Sequence, residues 1–296
     1  MKAFGYVAAN DLGHAVALLG EYGAAAKILA GGTDLLADLK FSGHGPEMIV
    51  DISRLDELKD IAFADDGLHI GALVTHSEIM RSPVIRDMFP ALVEAAHSIG
   101  AVQTRNLGTL GGNLVTCVPS MDSGPALIAL EASVTVAGAA GQRQMPLASL
   151  FAGPRKTSLK PGELLVDIVI PKANLRKPAA FEKFGLRKGQ ALALVNAAAA
   201  VWVDHGKGTF VAPCIALGAV APTVIRAPKA EAYLDGNAIT AETMAEAGRI
   251  AATEAKPISD FRASADYRRD LIAVLVKRAL ASAQARAETK TKELVP

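Results

Sequence analysis

Cysteine is scarce: Cys117 and Cys214 are the only two in 296 residues. They allow at most one bridge and show no metal-ligand spacing. Aromatic residues make up 5% of the chain, with a single tryptophan, so the cores must be filled by Ala, Val, Leu and Ile. Neither sign of charge predominates. Against 30 acidic side chains stand 31 basic ones, which argues against a nucleic-acid or acidic-membrane partner. Long apolar runs are missing as well. Residues 1–6 lack the apolar segment of a secretory signal, and Asp11 interrupts soon afterwards. The longest apolar stretch, 191–203, contains Asn196 and falls short of the ~20 residues of a membrane span. A reduced, cytoplasmic protein with room for two domains is the expectation.

Catalytic signatures are also lacking. The histidines at 14, 44, 69, 76, 97 and 205 are not spaced as metal ligands with one another or with cysteine. No Gly-x-Ser-x-Gly elbow occurs, no Lys-Ser or Lys-Thr follows a glycine run, and no Rossmann fingerprint is complete. Cys117 has no basic sequence neighbour to lower its pKa, so it reads as a small buried residue rather than a nucleophile.

What the chain does have is the stretch Arg105-Asn106-Leu107-Gly108-Thr109-Leu110-Gly111-Gly112-Asn113-Leu114-Val115-Thr116, with Asp122 shortly after. Three glycines in five positions let backbone amides approach a ligand, and Asn106, Thr109, Asn113 and Thr116 add side-chain donors. That mixture suits a phosphate or diphosphate. A second stretch, Ala30-Gly31-Gly32-Thr33-Asp34, lies about eighty residues earlier between a predicted strand and a predicted helix. Taken alone, it is as compatible with an ordinary turn as with a ligand loop.

The periodicity predicts mixed elements throughout, hence an α+β class. A helix capped at Asn10 or Asp11 leads to a strand at 26–30, then a helix capped by Thr33 or Asp34 and a strand at 48–52. A strand at 67–74, helices at 75–80, from Pro83 and from Pro90, and a helix opened by Asp122-Ser123-Gly124-Pro125 follow. Strands at 133–136 and 162–170 precede a polar linker at 172–178. Beyond it come a strand from 181, a hairpin of 195–203 and 209–220 interrupted by Pro213, and helices at 229–234, 241–255 and 266–285. Tyr267, Leu271, Val274 and Leu275 mark the expected inner face of the last helix. Its basic residues, Arg268 and Arg269 among them, read as a solvated face or subunit contact.

At residues 28–36, 70–75, 103–114, 119–122, 216–223 and 262–269 the sequence resembles the FAD-binding medium subunits of molybdenum-containing hydroxylases. That group includes the flavin subunits of aerobic carbon monoxide dehydrogenase and of quinoline and nicotine-type dehydrogenases, and the flavin domain of xanthine dehydrogenase. The resemblance implies a two-part, vanillyl-alcohol-oxidase-like FAD-binding domain over residues 1–175, with lobes of about 1–57 and 58–175. A C-terminal domain with a small antiparallel sheet and helices would cover 176–285, ahead of a charged tail at 286–296. By position, Leu29, Ala30, Gly31, Gly32, Thr33 and Asp34 would hold one side of the FAD diphosphate. Thr109, Gly111, Gly112, Asn113 and Thr116 would hold the other. Asp122 matches an acidic residue on the adenosine part, Ile99 and Leu165 match apolar positions along the flavin, and Lys183 a basic residue near it. The implied activity is electron transfer, from [2Fe–2S] centres on a small subunit to an external acceptor. Substrate would be oxidised at the molybdenum cofactor on a large subunit, the three chains forming a dimer of heterotrimers. With two cysteines, the chain cannot hold the iron–sulfur insertion that some relatives carry. A flavin-free assembly subunit and a stand-alone flavin oxidase are the alternatives.

Overall fold

A computed structural model describes residues 3–41 and 45–293. The first lobe is a parallel three-stranded sheet built from β1 (Gly5–Ala8), β2 (Ala26–Leu29) and β3 (Met48–Asp51), in the order β1-β3-β2. Between them run α1 (Leu12–Tyr22) and α2 (Leu35–Phe41). Asp11 caps α1 as its sequence position predicts, its carboxylate accepting from His14 N at 2.7 Å.

The second lobe is an antiparallel sheet of β4 (Ile61–Ala64), β5 (Gly67–Gly71), β6 (Ser133–Gly138), β7 (Gly141–Pro146) and the central β10 (Leu164–Pro171), in the order β4-β5-β10-β6-β7. A small hairpin, β8 (Phe151–Gly153) with β9 (Lys156–Thr157), lies before β10. Six short helices separate β5 from β6: α3 (His76–Arg81), α4 (Pro83–Met88), α5 (Pro90–Ser98), α6 (Val102–Leu107), α7 (Leu110–Thr116) and α8 (Ser123–Ala129). Five strands of these lobes were invisible in the hydrophobic pattern, among them the three-residue β8 and the two-residue β9. β7 reads Gly-Gln-Arg-Gln-Met-Pro and is almost wholly exposed, β4 is an exposed edge, and β1 spans four residues.

The third unit is an antiparallel sheet of β11 (Ala179–Phe184), β12 (Val195–Asp204), β13 (Thr209–Gly218) and β14 (Ile225–Arg226), in that order. α9 (Pro228–Leu234), α10 (Ala241–Glu254) and α11 (Ala265–Glu293) accompany it. Its register shifts between Ala200 and Trp202, opposite Ala212 at φ 45° and Pro213. The expected interruption of β13 is therefore a bulge. β12 carries four consecutive alanines because both faces are covered. Ala197 and Ala199 pack in the core with α10 and α11, while Ala198 and Ala200 join the core of the second lobe. Small side chains let helices approach both sides.

Three sequence readings are corrected here. The last helix continues through Glu293, well past 285, into the stretch expected as a charged tail. Its buried face is Arg268, Leu271, Ile272, Leu275, Val276, Ala279, Leu280 and Ala283, whereas Tyr267 and Val274 lie outside. Arg268 thus belongs to the core: it donates to Leu194 O at 2.7 Å and to Asp260 Oδ1 at 2.9 Å. The polar segment 172–178 runs between β10 and β11 and is tied down. Asn174 donates to Leu130 O and Glu131 Oε2, and Lys177 is almost fully buried.

Two predictions come from this frame. A Cβ on Gly248 would lie 2.4 Å from Ala273 O, so α10 and α11 touch backbone to backbone. Gly248→Val should destabilise the protein by roughly 1–3 kcal/mol through overpacking, read as a lower denaturant midpoint. In the second lobe, His69 bridges Asp167 (Nδ1–Oδ2 2.5 Å) and Asp66 (Nε2–Oδ1 2.8 Å), linking β5 to β10. Burial lowers its pKa, but the bonds to the two carboxylates outweigh that and raise it overall. A raised histidine stabilises below its unfolded pKa of about 6.5, and the gain is lost as pH rises through the folded value. The melting difference between wild type and His69→Gln should therefore be largest near about pH 6 and shrink by about pH 9, staying under roughly 1 kcal/mol for so exposed a pair.

Candidate cofactor site

The chain leaves β2 at Leu29 and turns through Ala30, Gly31 and Gly32 (φ 69°) into Thr33, Asp34 and α2. A Cβ on Gly31 would lie 1.8 Å from the Leu107 carbonyl oxygen and 3.1 Å from Gly108 Cα. The two glycine stretches are thus in direct backbone contact, which glycine alone permits at position 31. Gly108 is near the same corner: a Cβ there would come 3.6 Å from Thr33 Oγ1.

The longer stretch is not a loop of open amides, as its sequence suggested. It is α6, a corner at Gly108, and α7. Leu110 N donates to Val74 O (2.8 Å) and Gly111 N to Ala72 O (2.9 Å). Gly112 N donates to Thr109 Oγ1 (3.0 Å), and Asn113 N to Thr109 O (3.0 Å). All four amides of the first turn are engaged within the protein. Gly111 is glycine for packing, since a Cβ would lie 2.7 Å from Ala72 Cβ and 2.8 Å from its oxygen. Gly112 differs. A Cβ there would meet Thr109 Oγ1 at 2.8 Å and nothing else outside its own helix, so this face of α7 is open. Asn113 and Thr116 lie on the same helix, half-buried, with Asn113 Oδ1 accepting from Ser123 and Thr116 Oγ1 donating to Gly112 O.

Open donors lie instead on the first stretch. The amides of Gly31, Gly32, Thr33 and Asp34 have no acceptor among the described residues, and Thr33 and Asp34 are exposed. Free amides in a glycine turn entering a helix attract an anion.

A third component lies between the second lobe and the third unit. Lys183 Nζ on β11 donates to Asp122 Oδ2 at 2.5 Å and to Ser98 O at 3.0 Å. Asn196 Nδ2 on β12 donates to Asp122 Oδ1 at 2.8 Å and to Met121 O at 3.0 Å. Lys183 and Asn196 are register partners in the β11–β12 pair. Asp122 makes no capping bond to α8, contrary to its sequence reading, because both of its oxygens are engaged here. Burial pushes its carboxyl up, while Lys183, Asn196 and Ser98 pull it back. Ile99, half-buried, follows Ser98 directly and so shares this corner. Leu165 does not line an open wall: it is buried in the core beside the β10 bulge.

Sequence reading missed two contributors. Asn196 had been noted only as a break in an apolar run. His76 is buried behind the Gly108 corner, its backbone N–H donating to Gly108 O at 3.1 Å. Burial, with Arg105 nearby, pushes its imidazole down to about 4, so it is neutral at physiological pH. A signal was present in Thr75-x-x-Glu78, which forms a full capping box, and Thr75 bridges to Thr109. Cys117 is buried as expected, its thiol donating to Gly153 O and Lys156 O and pushed up by burial. His44 lies outside the described residues.

Comparison with known proteins finds matches over nearly the whole chain. Residues 2–173 match the FAD binding domain in molybdopterin dehydrogenase, and residues 179–283 the CO dehydrogenase flavoprotein C-terminal domain. The carbon monoxide dehydrogenase medium chain of Hydrogenophaga pseudoflava is 36% identical, covering 96% of this chain and 98% of its own. The xanthine dehydrogenase FAD-binding subunit of Escherichia coli O157:H7 is 32% identical, covering 96% and 97%. Among solved structures, quinoline 2-oxidoreductase from Pseudomonas putida 86 superposes with a TM-score of 0.89 at 32% identity, covering 97% of this chain and 100% of that one. Two matched domains in this order, and relatives aligned end to end, show that the chain belongs to the family of FAD-binding medium subunits of molybdenum-containing dehydrogenases.

Proposed function

We propose that Leu29, Ala30, Gly31, Gly32, Thr33 and Asp34 hold the FAD diphosphate against the open face of α7. The observation that carries this is the Gly31–Leu107 contact, which brings the segment with four unengaged amides against the Gly108 corner that leads into α7. The residues fit a diphosphate: neutral amide donors on one side, and on the other a helix face where a side chain would intrude. In this arrangement Gly31–Asp34 supply the main-chain bonds, while Thr109, Gly111, Gly112, Asn113 and Thr116 shape the opposing wall. Asp122 accepts from the adenosine part; Lys183, bonded to Asp122, and Ile99 beside Ser98 share that corner and so stand at the same end of the cofactor, not at the flavin end that the resemblance implied for them. Leu165 acts from behind, as support for that wall.

FAD, when bound, supplies the redox chemistry, taking electrons from [2Fe–2S] centres on a partner and releasing them to an external acceptor. The side chains of this protein bind and orient the cofactor. None is placed to act as a nucleophile. Substrate oxidation falls to the molybdenum cofactor of a large subunit, and a small subunit carries the iron–sulfur centres, the whole being a dimer of heterotrimers. Family membership supports this division, and so do Cys117 and Cys214, which are both buried and taken up in the fold. Free thiols suit the cytoplasm.

Gly112→Val tests the placement. The added side chain points to the open face, at the expense of one cap bond of about 1 kcal/mol. Flavin absorbance per protein after reconstitution with FAD should fall to near background, with circular dichroism unchanged. A variant that retains FAD as wild type does would refute the placement. Affinity purification from the native host tests the assembly. One larger and one smaller chain should co-elute with molybdenum and iron, and a lone active flavoprotein would contradict it.

A further inference from the structure

We propose that Asn196, a fully buried residue of the third unit, is a positioning residue for FAD binding, fixing the orientation and ionised state of Asp122. It rests on the reading that Asp122 faces the cofactor.

The geometry leaves the amide one sensible orientation. Asn196 Nδ2 faces two acceptors, Asp122 Oδ1 at 2.8 Å and Met121 O at 3.0 Å. Turned over, its oxygen would oppose both. In the orientation adopted, Asn196 Oδ1 is buried without a hydrogen-bond partner. It points towards Gly218, where a Cβ would come 2.2 Å from it. A buried acceptor left unpaired is unfavourable, and packing alone would be met by an apolar residue. The rest of the segment 193–201 is Ala, Leu and Val. The unpaired oxygen is therefore the consequence of placing a donor on Asp122.

Asp122 is faced by Ser98 from α5, Lys183 from β11 and Asn196 from β12. Among the described residues, Lys183 is the charged group in contact with it. Lys183 holds Oδ2 and Asn196 holds Oδ1, so two donors from neighbouring strands fix the plane of the carboxylate. Burial already pushes this carboxyl up. Removing the Asn196 donor raises it further, and a protonated Asp122 no longer accepts from a cofactor hydroxyl as an anion. Lower pH then weakens binding.

The experiment is FAD titration of the apoprotein by flavin fluorescence across pH, for wild type, Asn196→Leu, Gly218→Ala and Asp122→Ala. Gly218→Ala keeps the Asn196 amide but pushes it off Asp122, its Cβ also meeting Pro125 Cγ at 3.0 Å, and so covers the case in which Asn196→Leu does not fold. Wild-type affinity should fall less towards low pH than that of the two Asn196-directed variants. Asn196→Leu and Gly218→Ala should bind roughly tenfold more weakly at about pH 6 and less than about threefold more weakly at about pH 8.5. If both variants lose thermal stability but keep the wild-type pH profile while Asp122→Ala binds weakly, Asn196 is merely structural and the inference is overturned. If Asp122→Ala binds FAD as wild type does, the placement of Asp122 at the cofactor fails, and the inference with it.

Discussion

The contact on which the candidate cofactor site depends is that of Gly31 with the Leu107 carbonyl. No side chain mediates it. The first lobe and the helical segment of the second meet backbone against backbone, and a single methyl group at Gly31 would drive them apart. Everything behind α7 is arranged to hold that surface still. The amides of Leu110 and Gly111 continue the hydrogen bonding of the β5 end onto Val74 and Ala72, and Thr75 bridges to Thr109. The long glycine stretch therefore gives up its own donors to become a rigid wall, and the short one keeps its donors free.

A second constraint comes from the other end of the chain. β12 is buried on both faces, and its even-numbered alanines pack into the core of the second lobe. The third unit is in this way continuous with the cofactor-binding half. Lys183 and Asn196 reach Asp122 from it, and Arg286 of α11 pairs with Glu94 of α5. Loss of the C-terminal unit would expose apolar core and strip Asp122 of its charged partner together.

Much of this was legible in the sequence, for identifiable reasons. Asp11, Pro83 and Pro90 mark helix starts through local chemistry, and the hairpin around 205–208 and the bulge at Pro213 follow from turn and proline rules. Both glycine stretches were recognisable as special. Their division of labour was not, because whether an amide is free depends on a partner such as Ala72 O, some forty residues distant in the chain. The inner face of α11 was half misread for a similar reason. Arg268 looks like a surface residue until Leu194 O and Asp260 are placed beside it, and that placement is tertiary. Asn196 is the clearest case. A polar residue in an alanine run gives no hint of its role until its register partner is seen to be Lys183.

The titratable groups of the site argue for what kind of protein this is. A chain that moves protons needs groups poised near neutral pH. Here the environment works the other way. His76 is pushed down to about 4 and stays neutral, the Cys117 thiol is pushed up and stays protonated, and Cys214, beyond the site, is pushed up to about 12. Asp122 is the exception, since burial pushes its carboxyl up, and the ammonium and amide bonded to its oxygens hold it back. The fixed protonation of His76 and Cys117 leaves the protein to supply binding, orientation and a steady electrostatic setting to a redox cofactor.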